Sequence, residues 1–330
     1  MLTDVILLVL SLGFILFACF IFTNAIEWFG KKLNLGQGVI GSVFAAIGTG
    51  LPETIIPIIA IIFYKGGKAN EIGIGAIAGA PFMLGTLAFF VSGLAVIICS
   101  LIGRRTTKML ADIDVISRDL TFFIIIYGIA VLTSFIHTYV ILKTGIAVVL
   151  LLSYIIYLKT TFSDEAGQVE NVEQLYFTRF FKVKTSMFWI VTQLIIALMG
   201  IILGADLFVK YVESLADSLG IAPLILSMII TPIATELPEK LNSVIWIGHK
   251  KDTLALGNIT GAMVFQSCFP VVFGIIFTPW NLTGITMLSA VLALTSAALN
   301  LAWIKVTKTM SPYILLGSGA LYAVFLINVL

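Results

Sequence analysis

Thr231-Pro-Ile-Ala-Thr-Glu-Leu-Pro-Glu-Lys240 lies in the middle of an apolar run from about Leu224 to Ile247. The run is long enough to cross a bilayer, so Glu236, Glu239 and Lys240 fall where a spanning helix should be dry. Ionisable groups are costly at that depth and mark ion pathways and binding sites. Pro232 and Pro238 share the stretch. Each lacks an N–H and clashes with the carbonyl four residues back, which predicts opened turns and freed carbonyls. Open backbone is tolerated at membrane depth only inside protein or against a cavity. Carboxylates beside freed carbonyls are the donor set of a hard cation. The stretch also has a counterpart, since Ile47-Gly-Thr-Gly-Leu-Pro-Glu53 repeats Ile233-Ala-Thr-Glu-Leu-Pro-Glu239.

Composition supports the membrane reading. Of 330 residues, 60% are hydrophobic and 11% charged, against about a quarter charged in soluble domains. The chain is predicted to be an all-α integral membrane protein with a lipid bilayer around it. No stretch has the makings of a soluble catalytic domain, and no cofactor is expected. A net charge of +2 gives no bulk attraction for nucleic acid. Cys19, Cys99 and Cys268 lack metal spacing and read as small core residues, not as a disulfide framework. Met1-Leu-Thr-Asp4 lacks the basic start of a cleavable signal, so the apolar run after it is expected to be the first span.

At ~20 residues per span, ten apolar runs are expected. They fall at about Val5–Phe29, Val39–Tyr64, Ile72–Leu101, Leu120–Ile136 and Tyr139–Leu158, then Met187–Val212, Leu224–Ile247, Thr253–Phe277, Ile285–Ile304 and Tyr313–Leu330. The domain reading is a first repeat over 1–158, a polar cytoplasmic linker over 159–186 and a second repeat over 187–330. The linker, with Ser163-Asp-Glu-Ala-Gly-Gln-Val-Glu-Asn-Val-Glu173, reads as a solvated loop. Glu27 and Glu213 hold the same offset from the paired motifs. Gly75-x-x-x-Gly79 and Gly257-x-x-x-Gly261 are spaced for close helix approach in lipid. Five spans per half is odd, so the second copy enters from the opposite side. Such inverted repeats build secondary transporters with a midplane site. Lys and Arg cluster in alternate loops, including Lys31, Lys32, Arg104, Arg105, Lys250 and Lys251. Cytoplasmic loops carry that excess, so both termini are expected outside, with the cell's plasma membrane as the expected location.

Thr49 and Thr235 precede Glu53 and Glu239 by four residues, which puts hydroxyl and carboxylate on one helix face. Pro52 and Pro238 weaken the bonds to the carbonyls of Gly48 and Ala234. Two such helices crossing would offer carboxylates, hydroxyls and carbonyls to a calcium-like ion, which takes six to eight oxygens. The bland alternative is a protonated Glu bonding a neighbouring helix. Glu236 and Lys240 stand at i, i+4 in the order that favours a helical ion pair. The functional alternatives are that Lys240 supplies positive charge when the cation leaves, or that Glu236 joins the cage. Asp206 and Lys210 share the spacing and read as structural. His137 and His249 read as loop residues, and Trp28, Trp189, Trp280 and Trp303 as interface anchors.

These motifs resemble those of the calcium/cation antiporter superfamily, the sodium/calcium exchangers and their proton-coupled relatives. The likeness covers both halves and is strongest in Leu203-Gly-Ala-Asp-Leu-Phe208, Ala234-Thr-Glu-Leu-Pro-Glu239 and Ala255-Leu-Gly-Asn-Ile-Thr-Gly261. It implies an exchanger-type fold of ten helices in two inverted five-helix repeats. Spans two, three, seven and eight would form the core, and spans one and six would be long helices sliding past it. It assigns Glu53, Glu239, Thr49 and Thr235 to the divalent site, with Glu236, Gly48, Ala234, Asn258 and Gln266 as further candidate ligands. The family serines are replaced by Gly50, Glu236, Ala80 and Ala262, and the acidic or amide residues by Leu84 and Gln266. The carboxylates survive while much of the sodium-site shell is missing. The expected function is exchange of Ca2+ or another divalent cation against H+ or Na+ by alternating access. Inorganic cations are the expected partners and a single copy the expected unit. The competing readings are a cation channel, an intramembrane hydrolase with paired acids, and a degenerate exchanger with altered specificity.

Overall fold

The computed structural model describes residues 2–32, 50–64, 67–136, 140–163 and 173–329, and every regular element among them is helical. Gly48, Thr49, His137 and linker residues 164–172 lie outside these residues. The helices run α1 (Leu2–Lys32), α2 (Leu51–Phe63), α3 (Gly67–Met83), a π-helical turn (Leu84–Ala88), α4 (Phe89–Leu101), α5 (Ile113–Thr133), α6 (Val140–Ser163) and α7 (Tyr176–Phe181). They continue with α8 (Met187–Leu219), α9 (Pro223–Thr235), α10 (Leu237–Gly248), α11 (Asp252–Phe277), α12 (Gly284–Thr307) and α13 (Pro312–Val329). Among the described residues, 8 helical stretches are long and apolar enough to cross a membrane.

The longest helices, α1 with 31 residues and α8 with 33, would reach roughly 45–50 Å at 1.5 Å per residue. A hydrocarbon layer of about 30 Å accommodates such helices only by tilt or overhang. They pack along one another because Gly200 and Gly204 leave room for Ala18, Phe14 and Ile15. Their outer faces expose Val9, Phe14, Phe17, Ile195 and Met199, side chains suited to lipid. α1 and α8 share a buried cluster with one face of α2, α3 and α9. A second, larger cluster joins α3 to α6 and α11 to α13. Residues of α2, α3 and α9 enter both clusters, through Ile56 and Ile61, Ile72 and Ile77, Leu226 and Met228. These helices therefore lie between two apolar bodies, and the charged stretch is held there.

The Gly-x-x-x-Gly pair of α3 acts as its spacing predicts. A side chain on Gly75 would strike the Leu224 carbonyl, and one on Gly79 would strike the Met228 carbonyl. The Met228 carbonyl is the one that loses its helical donor to Pro232, four residues on. Small residues bring the backbones of α3 and α9 together, and Ser227 clasps them by donating to the Ile72 carbonyl at 2.7 Å. Gly257, by contrast, faces no described atom within 4 Å.

Several expectations require correction. The run Leu224–Ile247 is not one helix but the 13-residue α9 and the 12-residue α10, interrupted at Glu236. Pro238 therefore stands in the first turn of a new helix, where a missing N–H removes no bond, while Pro232 remains inside α9. Trp280 is no interface anchor. It is fully buried, with its indole N–H donating to the Ala130 carbonyl at 2.9 Å, since a buried indole needs an acceptor. The linker is not a plain solvated loop in its described parts. α6 extends to Ser163, Leu175 is fully buried, and Trp28 donates to the Glu173 carbonyl at 2.7 Å. Asp206, read with Lys210, accepts the Tyr64 hydroxyl at 3.0 Å.

Candidate functional site

Glu53 and Glu239 both stand in the first turn of a helix that starts beside the break. The residues before those helices match in backbone: Gly50 has φ −82° and ψ 2°, Glu236 has φ −88° and ψ 6°. In each helix the proline takes the second position and the carboxylate the third. Repetition of Leu-Pro-Glu thus yields the same helix start twice, with the acid near the exposed N–H groups that favour negative charge.

The three acids are deeply buried: Glu53 is 2% exposed, Glu236 0% and Glu239 3%. Glu53 lies within electrostatic reach of Glu236 and Lys240 and beside the Thr235 hydroxyl. Thr235 donates its hydroxyl to the Thr231 carbonyl at 2.8 Å. Both carboxyl oxygens of Glu53, Oε1 of Glu236 and Oε1 of Gln266 are buried with no hydrogen-bond donor among the described residues. A buried acceptor without a donor is expensive. An assembly of several at one helix break is chemically a cradle for a cation. Cys19 of α1 lies within electrostatic reach of Glu53 and Glu239, so α1 passes near the acids.

Glu236 has one further partner. Lys240 Nζ approaches its Oε2 at 3.0 Å and the Pro232 carbonyl at 3.1 Å. The helical spacing predicted the pair. The donation to Pro232 fastens the lysine across the interruption between α9 and α10. Asn258 of α11 reaches the same region, donating to the Glu239 carbonyl at 3.3 Å. Gln266 lies two turns further along α11. Ala234 is in the last turn of α9, ahead of the break. Glu53, Thr235, Glu236 and Glu239 thus come together, with Asn258 at the edge, while Gly48 and Thr49 fall outside the described residues. No three of His, Cys, Asp and Glu among the described residues are gathered as a closed metal cluster. The oxygens available are two or three carboxylates supplemented by neutral donors.

Two buried carboxylates escaped the sequence analysis. Asp119 of α5 is 1% exposed and accepts from Thr260 at 2.7 Å and Tyr157 at 3.0 Å. It ties α5 and α6 to the face of α11 that bears Thr260. Its signal was an acid abutting an apolar run, hidden because the run begins one residue later at Leu120. Asp252 receives both guanidinium nitrogens of Arg105, at 2.6 and 2.7 Å, and the Leu110 amide at 2.7 Å. Nothing in the local sequence joins residues 147 positions apart.

The family model for the sodium/calcium exchanger protein matches residues 3–162 and 189–330. The uncharacterized membrane protein MJ0091 of Methanocaldococcus jannaschii is 26% identical over 266 residues, 78% of this chain and 79% of its own length. Among solved structures, the H+/Ca2+ exchanger CAX superposes with a TM-score of 0.75 at 16% identity, over 98% of this chain and 81% of its own. The sodium-calcium exchanger NCX_Mj superposes at 0.62 and 22% identity, over 99% and 98%. These structures share the fold. With two separate matches that together span nearly the whole chain, this protein belongs to the sodium/calcium exchanger family, as an integral membrane cation exchanger and not an enzyme.

Proposed function

We propose that this protein is a secondary active antiporter that moves Ca2+, or another divalent cation, against H+ or Na+ by alternating access. The observation that carries the reading is Glu53: an enclosed carboxylate whose two oxygens have no hydrogen-bond partner among the described residues, beside Thr235 and close to further acids at a helix break. Glu53, Glu239, Thr235 and Thr49 are the principal ligands, with Glu236, Asn258, Gln266 and the carbonyls of Gly48 and Ala234 completing the shell. The divalent cation is cargo here, and its departure leaves repelling carboxylates that a monovalent ion must relieve before the empty site can return.

Protons are the preferred counter-ion. A sodium ion needs several oxygens of its own, and Ala80, Ala262 and Leu84 offer none from their side chains, with Ala80 buried and Leu84 buried within the larger apolar cluster. A proton needs only a carboxylate. The matched helix starts at Gly50 and Glu236 support ten spans in two inverted repeats, over 1–158 and 187–330, joined by the linker at 159–186. On this topology both termini face outside the plasma membrane and one copy is a complete transporter. α1 and α8, which share one apolar cluster, slide as a unit against the other.

The test is calcium flux into sealed proteoliposomes under separately imposed gradients. Uptake should follow a pH gradient with sodium absent from both sides. Uptake that needs a sodium gradient and ignores the pH gradient reverses the counter-ion. Unitary current steps without countertransport would replace the antiporter by a channel.

A further inference from the structure

Glu213 shares its motif offset with Glu27, yet it lies away from the helix break, on the long helix α8. It belongs to a row. Asp206, Glu213 and Asp217 are spaced by seven and four residues, which puts them along one face of a helix with 3.6 residues per turn. Lys68, in the first turn of α3, pairs with Asp217 at 2.7 and 2.8 Å. The Tyr64 hydroxyl, just past α2, donates to the Asp206 carboxylate at 3.0 Å. Glu213 stands between these two acids in the row and lies within electrostatic reach of both Tyr64 and Lys68. Glu71 also reaches Lys68, but it shares α3 with the lysine and keeps its distance whatever α8 does.

The polar contacts between α8 and α1 are of another kind. Gln193 of α8 is fully buried and donates to the Ile21 carbonyl at 2.9 Å and to Asn24 at 3.0 Å. Ser214 of α8 donates to Asp4 of α1 at 3.2 Å nearer the other end. These contacts travel with the pair of long helices. The Lys68–Asp217 pair is exposed, with 51% and 55% of the two side chains open, so water can take the place of a departing partner. The apolar cluster that α8 shares with α2 and α3 is held by a non-directional force, and ridges refit grooves after one turn. Hydrogen bonds depend on direction, so the polar contacts set the register.

We propose that Lys68 is the ratchet of the access change: it pairs with Asp217 in the present register and passes to Glu213 when α8, carrying α1, slides by about one turn towards its own C-terminal end. This rests on the exchanger reading and names the residues that position its moving helices. Four residues amount to ~6 Å of axial travel, a one-turn step of the kind that packed elements take between two discrete arrangements. Tyr64 has no second acid to receive it, because the same step brings Ile202 to where Asp206 stood. The present register thus holds two contacts and the shifted one keeps the lysine contact. Lys68, Asp217, Glu213 and Tyr64 are positioning residues and touch no transported ion.

The experiment follows the position of α8 in the full-length protein. Spin labels at the exposed Met199 of α8 and Leu299 of α12 report the register as a distance, and proteoliposomes report calcium flux. The wild type should show two distance populations. Asp217→Asn should deplete the present register and Glu213→Gln should enrich it, each by up to about fivefold, the scale of an exposed ion pair. Tyr64→Phe should act in the same direction as Asp217→Asn. With Lys68→Met in place, neither acid change should move the populations. Joining Lys68→Cys to Asp217→Cys through a short, reducible thiol crosslinker should stop flux, relative to each single-cysteine variant treated alike, and reductant should restore it. Shifts of the same sign for the two acids overturn the proposal, as do shifts that persist without the lysine, or full flux through the crosslinked protein. A purely structural pair would lower the melting temperature without sorting the two acids by direction, which also overturns it. Wild-type flux with a single register defeats the ratchet alone. Absence of wild-type calcium flux defeats the exchanger reading itself.

Discussion

Glu53 is the residue on which the chemistry turns. Its carboxylate is enclosed, has no hydrogen-bond partner on either oxygen among the described residues, and lies beside the hydroxyl of Thr235. A group so placed is unfavourable unless a cation or proton joins it. Glu53→Gln and Glu239→Gln should each lower calcium flux in proteoliposomes by at least ~100-fold, because replacing a carboxylate ligand by an amide removes several kcal/mol of attraction in a dry site. The amide is nearly the same shape, so both variants should elute and melt like wild type. Appreciable transport by either well-folded variant rules out a shared two-carboxylate cage. Glu236 differs from these two because Lys240 already occupies one of its oxygens.

Among the elements, the contact of α3 with α9 decides where Glu236 and Glu239 stand. Gly75 and Gly79 meet the carbonyls of Leu224 and Met228, and Ser227 locks the helices through Ile72. Gly79→Val should force α9 away from α3 and displace Thr235, which ends the same helix, and Glu236 at the interruption after it. The expected cost is about 1–3 kcal/mol for overpacking, read as a lower melting temperature in detergent, together with loss of calcium affinity. Gly257→Ala, which meets no described atom within 4 Å, should change stability far less. A Gly79→Val protein as stable and active as wild type would show that the two backbones have room to separate. The interruption at Glu236 is also an element-scale property, since it depends on Pro238 being accepted as the start of α10.

At the scale of the molecule, distant segments are tied by a few buried polar bridges. Arg105 binds Asp252 with both guanidinium arms and also donates to the Ile247 carbonyl at 2.9 Å. This joins the segment after α4 to the turn between α10 and α11, next to the helices that carry Glu239 and Asn258. Breaking a buried pair by removing one partner costs about 3–5 kcal/mol. Arg105→Ala should therefore lower the melting temperature clearly. Replacing both partners, as in Arg105→Leu with Asp252→Leu, should recover part of the loss. Equal damage from the single and double changes would mean that the bridge acts through its carbonyl and amide contacts instead. Asp119 plays a comparable role at α5, α6 and α11 through Thr260 and Tyr157.

The sequence by itself determined the membrane class, the pairing of the two Leu-Pro-Glu motifs, the Glu236–Lys240 pair and the close approach at Gly75 and Gly79. Each of these follows from composition or from spacing within about a turn, where local geometry is set by 3.6 residues per turn and by the missing proline N–H. Only the tertiary structure decided that the break falls at Glu236, that Thr235 lies beside Glu53, and that Cys19 of α1 comes within electrostatic reach of the acids. It also decided that Trp280 is buried, that Arg105 meets Asp252, and that Asp119 meets Thr260. These are relations between residues far apart in the chain, and no periodicity encodes them. They arise because a buried polar group must find its partner wherever packing brings one within reach.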